Sequence, residues 1–267
     1  MRNEEKRTEE NMINSILKTL EYSKHLIVSP DIDGFTSARL LEAFNGSVVV
    51  GTYDKNVLVT AEGVDPKECL FVDCDMNRSD LVSIGNHQRL SSGDNMSSKS
   101  FNPNVHYEIN TYTDKYPFAT AFLISFATRV PTSEITQLYM AYADSTYKNL
   151  QNYLPNMNNW RERMTHTEID RVFSLSSNDL QKLQKLEEKY PVQGFVSKRL
   201  GKEKYIEQMN QALNSEGIKH LPMVSGKKYL SDKVGRTTVL KYNQDIISYA
   251  EIYGGEYSVT YDQEMNW

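Results

Sequence analysis

Cysteine is scarce in this 267-residue chain: Cys69 and Cys74 are the only two. Two thiols cannot staple a disulfide scaffold, and no CxxC or Cys/His spacing suggests structural zinc. Long apolar runs are also missing. The most apolar stretch, Pro117 to Ala127 (PFATAFLISFA), is broken by Thr120 and Ser125. It is far short of the roughly 20 residues a membrane-spanning helix needs. The opening residues, MRNEEKRTEE, have no apolar core and do not read as a secretory signal. Positive charge is not in excess either, since 30 Lys and Arg against 35 Asp and Glu leave a formal net charge of −5. That excludes a protein built wholly around nucleic-acid backbone electrostatics, though not a local basic groove. What is present, 39% hydrophobic and 10% aromatic residues without internal repeats, is enough to bury a real core. The expectation is a soluble, cytoplasmic protein of one large or two modest domains, with no membrane partner.

Met12, Ile13, Ile16, Leu17 and Leu20 fall on one helical stripe. A short apolar strand, His25 to Val28 (HLIV), follows and leads into the polar turn Ser29-Pro30-Asp31-Ile32-Asp33-Gly34. A helix is expected from about Thr36 (TSARLLEAF). Ser47 to Tyr53 (SVVVGTY) and Glu68 to Val72 (ECLFV) read as further strands, the second running into Asp73. Strands alternating with helices, with carboxylates at strand exits, predict a parallel α/β sheet whose ligand sits beyond the carboxyl ends of the strands. Residues 88–104 form a long Ser/Asn/Gly-rich loop, and the chain turns helical after Tyr116. His166 falls inside an expected capping box from Thr165 to Glu168. The division expected is a parallel-sheet domain over 1–176, a helical linker over 177–191, and a smaller α/β domain over 192–267. In the last, HLPMV, TTVLKY and YSVTYD are strand-like.

The chemistry concentrates on four aspartates. Asp31 and Asp33 stand two residues apart just after a strand, and Gly34 lets the chain curl back. Two carboxylates aimed at one point repel, and a hard cation such as Mg²⁺ or Mn²⁺ is the usual relief. The plainer alternative is an Asp-rich turn with a helix cap. Asp73 repeats the pattern after a second apolar strand, with Asp75 two residues on. Asp144, in MAYADSTY, is the last of the four. Its plainer alternative is an exposed helix residue or a cap.

These residues carry a resemblance. SPDIDGFTSARLL resembles the first motif of the DHH phosphoesterase family, LFVDCD its second and ADST its fourth, and SIGNHQRL stands where the name-giving Asp-His-His would be. Order and spacing match over roughly residues 25–150, and FNPN followed by YPFATAFL resembles the loop and helix after the third motif. The resemblance implies a DHH-like fold and two bound Mn²⁺ ions, with Mg²⁺ as the substitute. Asp31 and Asp33 would each bind one ion, Asp73 would bridge them, and Asp144 would complete the second. Water activated by the two ions would attack phosphorus. The family's third motif supplies one metal ligand and one phosphate-contacting imidazole. Here its Asp becomes Gly85, its first His becomes Asn86, and only His87 survives. Asp73 and His87 are therefore the catalytic candidates, and Asn86 and His87 join the four aspartates as metal candidates.

The resemblance also implies a substrate-binding C-terminal domain, in a short form, with Gly254-Gly255 in a context unlike the family's Gly-rich loop. From Lys198 to Lys241 basic residues outnumber acidic ones, and Lys198, Arg199, Lys227, Lys228 and Arg236 are the candidates to hold phosphates. The leading expectation is a metal-dependent phosphoesterase acting on a small phosphodiester, a short single-stranded oligonucleotide or a cyclic nucleotide, with homodimerisation left open. One alternative is a catalytically degenerate nucleotide- or protein-binding module. Another is a haloacid-dehalogenase-like phosphatase, with Asp31 as nucleophile.

Overall fold

A computed structural model of the chain describes residues 2–90, 95–189, 201–263 and 265. Its first part runs α1 (Arg2–Leu20), β1 (His25–Val28), α2 (Ile32–Asn45), β2 (Val48–Tyr53), β3 (Val57–Ala61), β4 (Leu70–Val72) and β5 (Val82–Ile84). Helices follow: α3 (Pro103–His106), α4 (Thr120–Thr128), α5 (Glu134–Tyr142), α6 (Thr146–Asn152), α7 (Leu154–Arg163), α8 (Thr167–Phe173), α9 (Ser177–Lys189) and α10 (Lys202–Ser215). The chain continues as β6 (Met223–Lys228), β7 (Leu230–Gly235), α11 (Arg236–Tyr242), β8 (Ile246–Tyr253) and β9 (Glu256–Tyr261).

The fold is mixed α/β, centred on a six-stranded sheet of order β5-β4-β1-β2-β3-β6. β5, β4, β1 and β2 are mutually parallel, whereas at one side β3 pairs antiparallel with β2, and β6 antiparallel with β3. β1 and β4 are buried nearly throughout, the pattern of a parallel sheet covered on both faces. One covering layer is helical. Met12, Ile16 and Leu20 of α1 form the expected buried stripe. Eight of the nine residues of α4 are buried, so this helix lies inside the core rather than on its surface. The other face carries a smaller cluster that includes Ile27, Val50, Tyr53, Phe71 and Ile247.

Several local expectations change. α2 begins at Ile32, not near Thr36, because Asp31 adopts extended backbone and accepts the Gly34 N–H as a helix cap. TTVLKY is helical within α11, despite its β-branched residues, because Val239 buries its side chain in the cluster with Tyr257 and Val259. No capping box forms at Thr165 either: His166 is the residue preceding α8, and Glu168 is drawn instead to the His166 ring and the Thr132 hydroxyl. The stretch expected as a linker forms α9 over its described part and buries Leu183, while its last two residues lie outside the described ones.

The C-terminal part contributes to both sheets. β6 pairs with β3 and so extends the main sheet, and β7, β9 and β8 form a separate antiparallel sheet. That small sheet is fastened to the strand ends of the large one. Asn77 donates its backbone N–H to Ile247 O at 2.7 Å, Glu251 donates to Gln88 O at 3.0 Å, and the Tyr53 and Ser248 hydroxyls share a hydrogen bond of 2.6 Å. Among the described residues no helix is long and apolar enough to cross a membrane.

Candidate metal centre and cleft

The parallel strands end together. β1 leads away to β2 on one side, whereas β4 and β5 return on the other, so the connections diverge at the β1/β4 pair. That divergence opens the crevice where ligands of parallel sheets bind. Val28 and Val72 are register partners, and the Ser29 N–H donates to Val72 O at 3.1 Å, so the segments bearing Asp31 and Asp73 emerge side by side.

Asp33, in the first turn of α2, is almost fully buried. Its oxygens accept the backbone N–H groups of Thr120 at 2.7 Å and Ala121 at 2.9 Å. It thereby caps α4, whose own N-cap residue, Ala119, supplies no side-chain bond. Asp73 is also buried and accepts the Thr120 hydroxyl at 2.9 Å. Asp144 stands exposed at the α5/α6 junction and accepts the Asn86 amide. Ligand atoms of Asp33, Asp73 and Asp144 all lie within 4.8 Å of one another.

This crowding has an electrostatic signature. Burial pushes the Asp33 and Asp73 carboxyls well above the ordinary carboxylate range, and the neighbouring aspartates push them further. Asp31 is raised too, chiefly by burial. The Gly34 N–H and the Ser29 hydroxyl counter the rise, Asp144 adds to it, and His87 opposes it. Asp31 thus feels the cluster while its own oxygens are turned to Ser29 at 2.7 Å and Gly34 at 3.0 Å. The backbone is strained in the same place. Six non-glycine residues of the described chain have positive φ, and Lys55, Asp73, Asp144 and Ser145 are four of them. Such strain persists where surrounding structure enforces it, which is characteristic of functional sites.

Asn86 donates its amide to Phe118 O at 2.9 Å and to Asp144. Its Oδ1 is buried with no hydrogen-bond partner among the described residues. Rotating the amide would only set that oxygen against two acceptors. Three carboxylates and an orphaned amide oxygen are hard donors, the set that fits Mg²⁺ or Mn²⁺.

Beside the cluster lies a cavity of about 220 Å³. Residues just beyond all four parallel strands line it: 29–31 after β1, 53–56 after β2, 73–75 after β4, and His87 after β5. Ser248, Tyr249 and Ala250 of β8 complete the lining. Asp73 belongs to both cluster and cavity. His87 is held by Asp75, whose Oδ2 meets its Nδ1 at 2.8 Å and its backbone N–H at 3.1 Å. Asn102 donates to the other Asp75 oxygen at 2.6 Å. Burial raises the Asp75 carboxyl, but His87, Arg89 and Asn102 outweigh that and hold it below its ordinary value. Asp75 is therefore an ionised acceptor that fixes the proton on Nδ1 and leaves Nε2 of His87 for the cavity.

Gly85 makes this arrangement possible. A Cβ there would stand 2.5 Å from an Asp75 carboxylate oxygen. Gly85→Ala should displace that carboxylate from His87 and cost about 1–3 kcal/mol by overpacking. A urea-unfolding curve unchanged from wild type would show that the space is not filled as described.

The described basic candidates, Lys227, Lys228 and Arg236, lie outside this lining. Lys227 sits on β6, forms an ion pair with Asp262 at 2.6 Å and faces a different cavity. Lys228 and Arg236 are exposed and do not line the carboxylate cavity. Lys198 and Arg199 lie outside the described residues. Net basic count along a segment says nothing about which way it faces, and the lysine that does line the cavity is Lys55, in the β2–β3 turn. Sequence reasoning passed over it, and Asp75 was noticed only as a neighbour of Asp73. Cys74, also in the lining, is pushed well above the ordinary thiol range by burial, which fits a small buried residue better than a nucleophile. Comparison with protein-family models, with curated proteins and with solved structures yields no match to this chain.

Proposed function

We propose that the chain is a divalent-metal-dependent phosphoesterase of the DHH type, acting on a small phosphodiester such as a short oligonucleotide or a cyclic nucleotide. One observation carries the reading: Asp73 is shared between a cluster of mutually repelling carboxylates, two of them buried, and a cavity at the ends of four parallel strands. Asp33, Asp73 and Asp144, with the Asn86 amide oxygen, would hold the metal, and Asp31 would join them only by turning from Ser29 and Gly34. When bound, such ions neutralise charge on phosphoryl oxygens and lower the pKa of water. Mn²⁺ and Mg²⁺ both suit the donors.

The protein groups divide the remaining work. Asp75 orients His87, so Nε2 can contact a phosphate oxygen or exchange a proton with a leaving group. A cavity of about 220 Å³ suits a compact phosphate group or the end of a chain. A second reading, a module that binds nucleotide without turnover, is favoured by one feature. Both oxygens of Asp33 already serve the N-terminus of α4.

Hydrolysis of a panel of linear dinucleotides, cyclic dinucleotides, cyclic mononucleotides and pyrophosphate should separate the two. Turnover of at least one member in Mn²⁺, abolished by EDTA and restored by added metal, is the expected outcome. Nucleotide binding without any turnover would replace the hydrolase with the binding module.

A further inference from the structure

A cleft floored by carboxylates needs a cation if it is to accept an anion, and among the described residues the cavity lining contains one Lys or Arg. The lining carries Asp31, Asp54, Asp73 and Asp75 against Lys55 and the His87 imidazole. His87 is already engaged by Asp75. Lys55 is half-buried and makes no hydrogen bond or ion pair among the described residues.

The turn that carries Lys55 is tightly built. Asp54 Oδ1 accepts the N–H groups of Asn56 at 3.0 Å and Val57 at 2.8 Å, while the Asp54 N–H donates to Val57 O at 3.2 Å. These bonds hold Lys55 itself at φ 73, where a side-chain-bearing residue is disfavoured and glycine would sit without strain. The ammonium charge is felt at Cys74, beside Asp73. By contrast, Lys227 is neutralised by Asp262.

We propose that Lys55 is the substrate-anchoring cation of the cleft and binds a phosphoryl oxygen of the ligand, a role that rests on the phosphoester reading above. The preference for lysine at a position that glycine would fill more stably follows directly, since the ammonium serves the ligand rather than the fold. The ligand class is a compact phosphate whose anionic oxygens reach the β2–β3 turn while its phosphorus lies toward Asp73.

The test is calorimetric titration of inorganic phosphate into the full chain in Mg²⁺ buffer. Wild type is compared with Lys55→Gln, Lys55→Arg and Lys55→Gly. Loss of a charge-assisted contact should weaken phosphate binding about tenfold or more in the Gln and Gly variants, and Arg should retain most of it. Mg²⁺ affinity should stay as in wild type, and the melting temperature of Lys55→Gly should equal or exceed that of wild type. Loss of binding together with unchanged or higher stability is a combination that a purely structural lysine would not produce. Wild-type phosphate affinity in Lys55→Gln, or no phosphate binding by the wild type, overturns the proposal. Lys55-dependent phosphate binding without hydrolysis of any panel member would uphold the anchor and sink the hydrolase. Hydrolysis with unchanged KM in Lys55→Gln would do the reverse.

Discussion

Asp73→Asn is expected to abolish Mn²⁺-dependent hydrolysis and, in the same molecule, to raise the melting temperature of the metal-free protein near neutral pH. Asn is the gentlest replacement available. It tolerates the positive φ of position 73 and keeps an oxygen for the Thr120 hydroxyl, while removing the charge. The functional loss follows from the place of Asp73 in both cluster and cavity. On the proposed phosphoesterase reading, losing a metal ligand there should cost several kcal/mol of transition-state stabilisation, about 10³-fold or more in rate. The stability gain follows from the proton linkage. Asp31, Asp33 and Asp73 bind protons more tightly folded than unfolded, since burial raises all three. Their contribution is fully present below the ordinary carboxylate pKa of about 4 and is lost as pH rises through the raised values. The lowered carboxyls, Asp75 and Asp80 among them, lose their contribution only as pH falls below about 4, outside that window, and the His106 imidazole, lowered by burial, is a single group working against three. Metal-free wild type should therefore melt lower at about pH 8 than at about pH 5, Mn²⁺ should reverse the trend, and Asp73→Asn should lessen it. Calorimetric Mn²⁺ titration and thermal melts in EDTA across pH check both halves. Wild-type Mn²⁺ affinity in Asp73→Asn would remove Asp73 from the centre.

The carboxylates were legible because apolar strands announce their own ends. HLIV and LFV each stop at a polar residue, and a parallel sheet gathers those stops at one edge. Asp144 is different. It sits between two helices at φ 52, and nothing in MAYADSTY discloses that kink, so it was legible only as a carboxylate after an apolar helical stretch and by the order of motifs. Lys55 was invisible for a related reason. The DKN turn reads as an ordinary connection, and its importance comes from β2 being a parallel neighbour of β1, a long-range fact. In the basic C-terminal segment, charge counted along the chain does not disclose orientation. β6 turns Lys227 to Asp262, away from the carboxylate cavity. The helix at TTVLKY was missed because a buried position for Val239 against the small sheet outweighs intrinsic β preference.

Gly34→Ala should be the most damaging single-methyl change outside the hydrophobic core. The chain reverses between Ser29 and Gly34, so that Asp31 can cap α2 and the Ser29 hydroxyl can reach the Asp31 carboxylate. A Cβ at position 34 would overlap the Ser29 carbonyl oxygen and crowd the rest of that peptide unit. The obstacle is backbone, not the end of a flexible side chain, so relief requires moving either the end of β1 or the start of α2. Ser29 is tied to β4 through Val72 O, and Asp33 is tied to α4 through two backbone bonds, so neither can move alone. The expected loss is about 3 kcal/mol or more, at the upper end of overpacking costs. At ~2–4 °C per kcal/mol for a chain of this size, that is a fall of about 6–12 °C in melting temperature. Surviving protein should bind Mn²⁺ poorly, because shifting the turn separates Asp33 from Asp73 and Asp144. A thermal melt paired with Mn²⁺ titration reads both effects. Gly34→Ala with wild-type melting and wild-type metal affinity would mean that the turn is not folded as described, and the cluster built on it would fall with it.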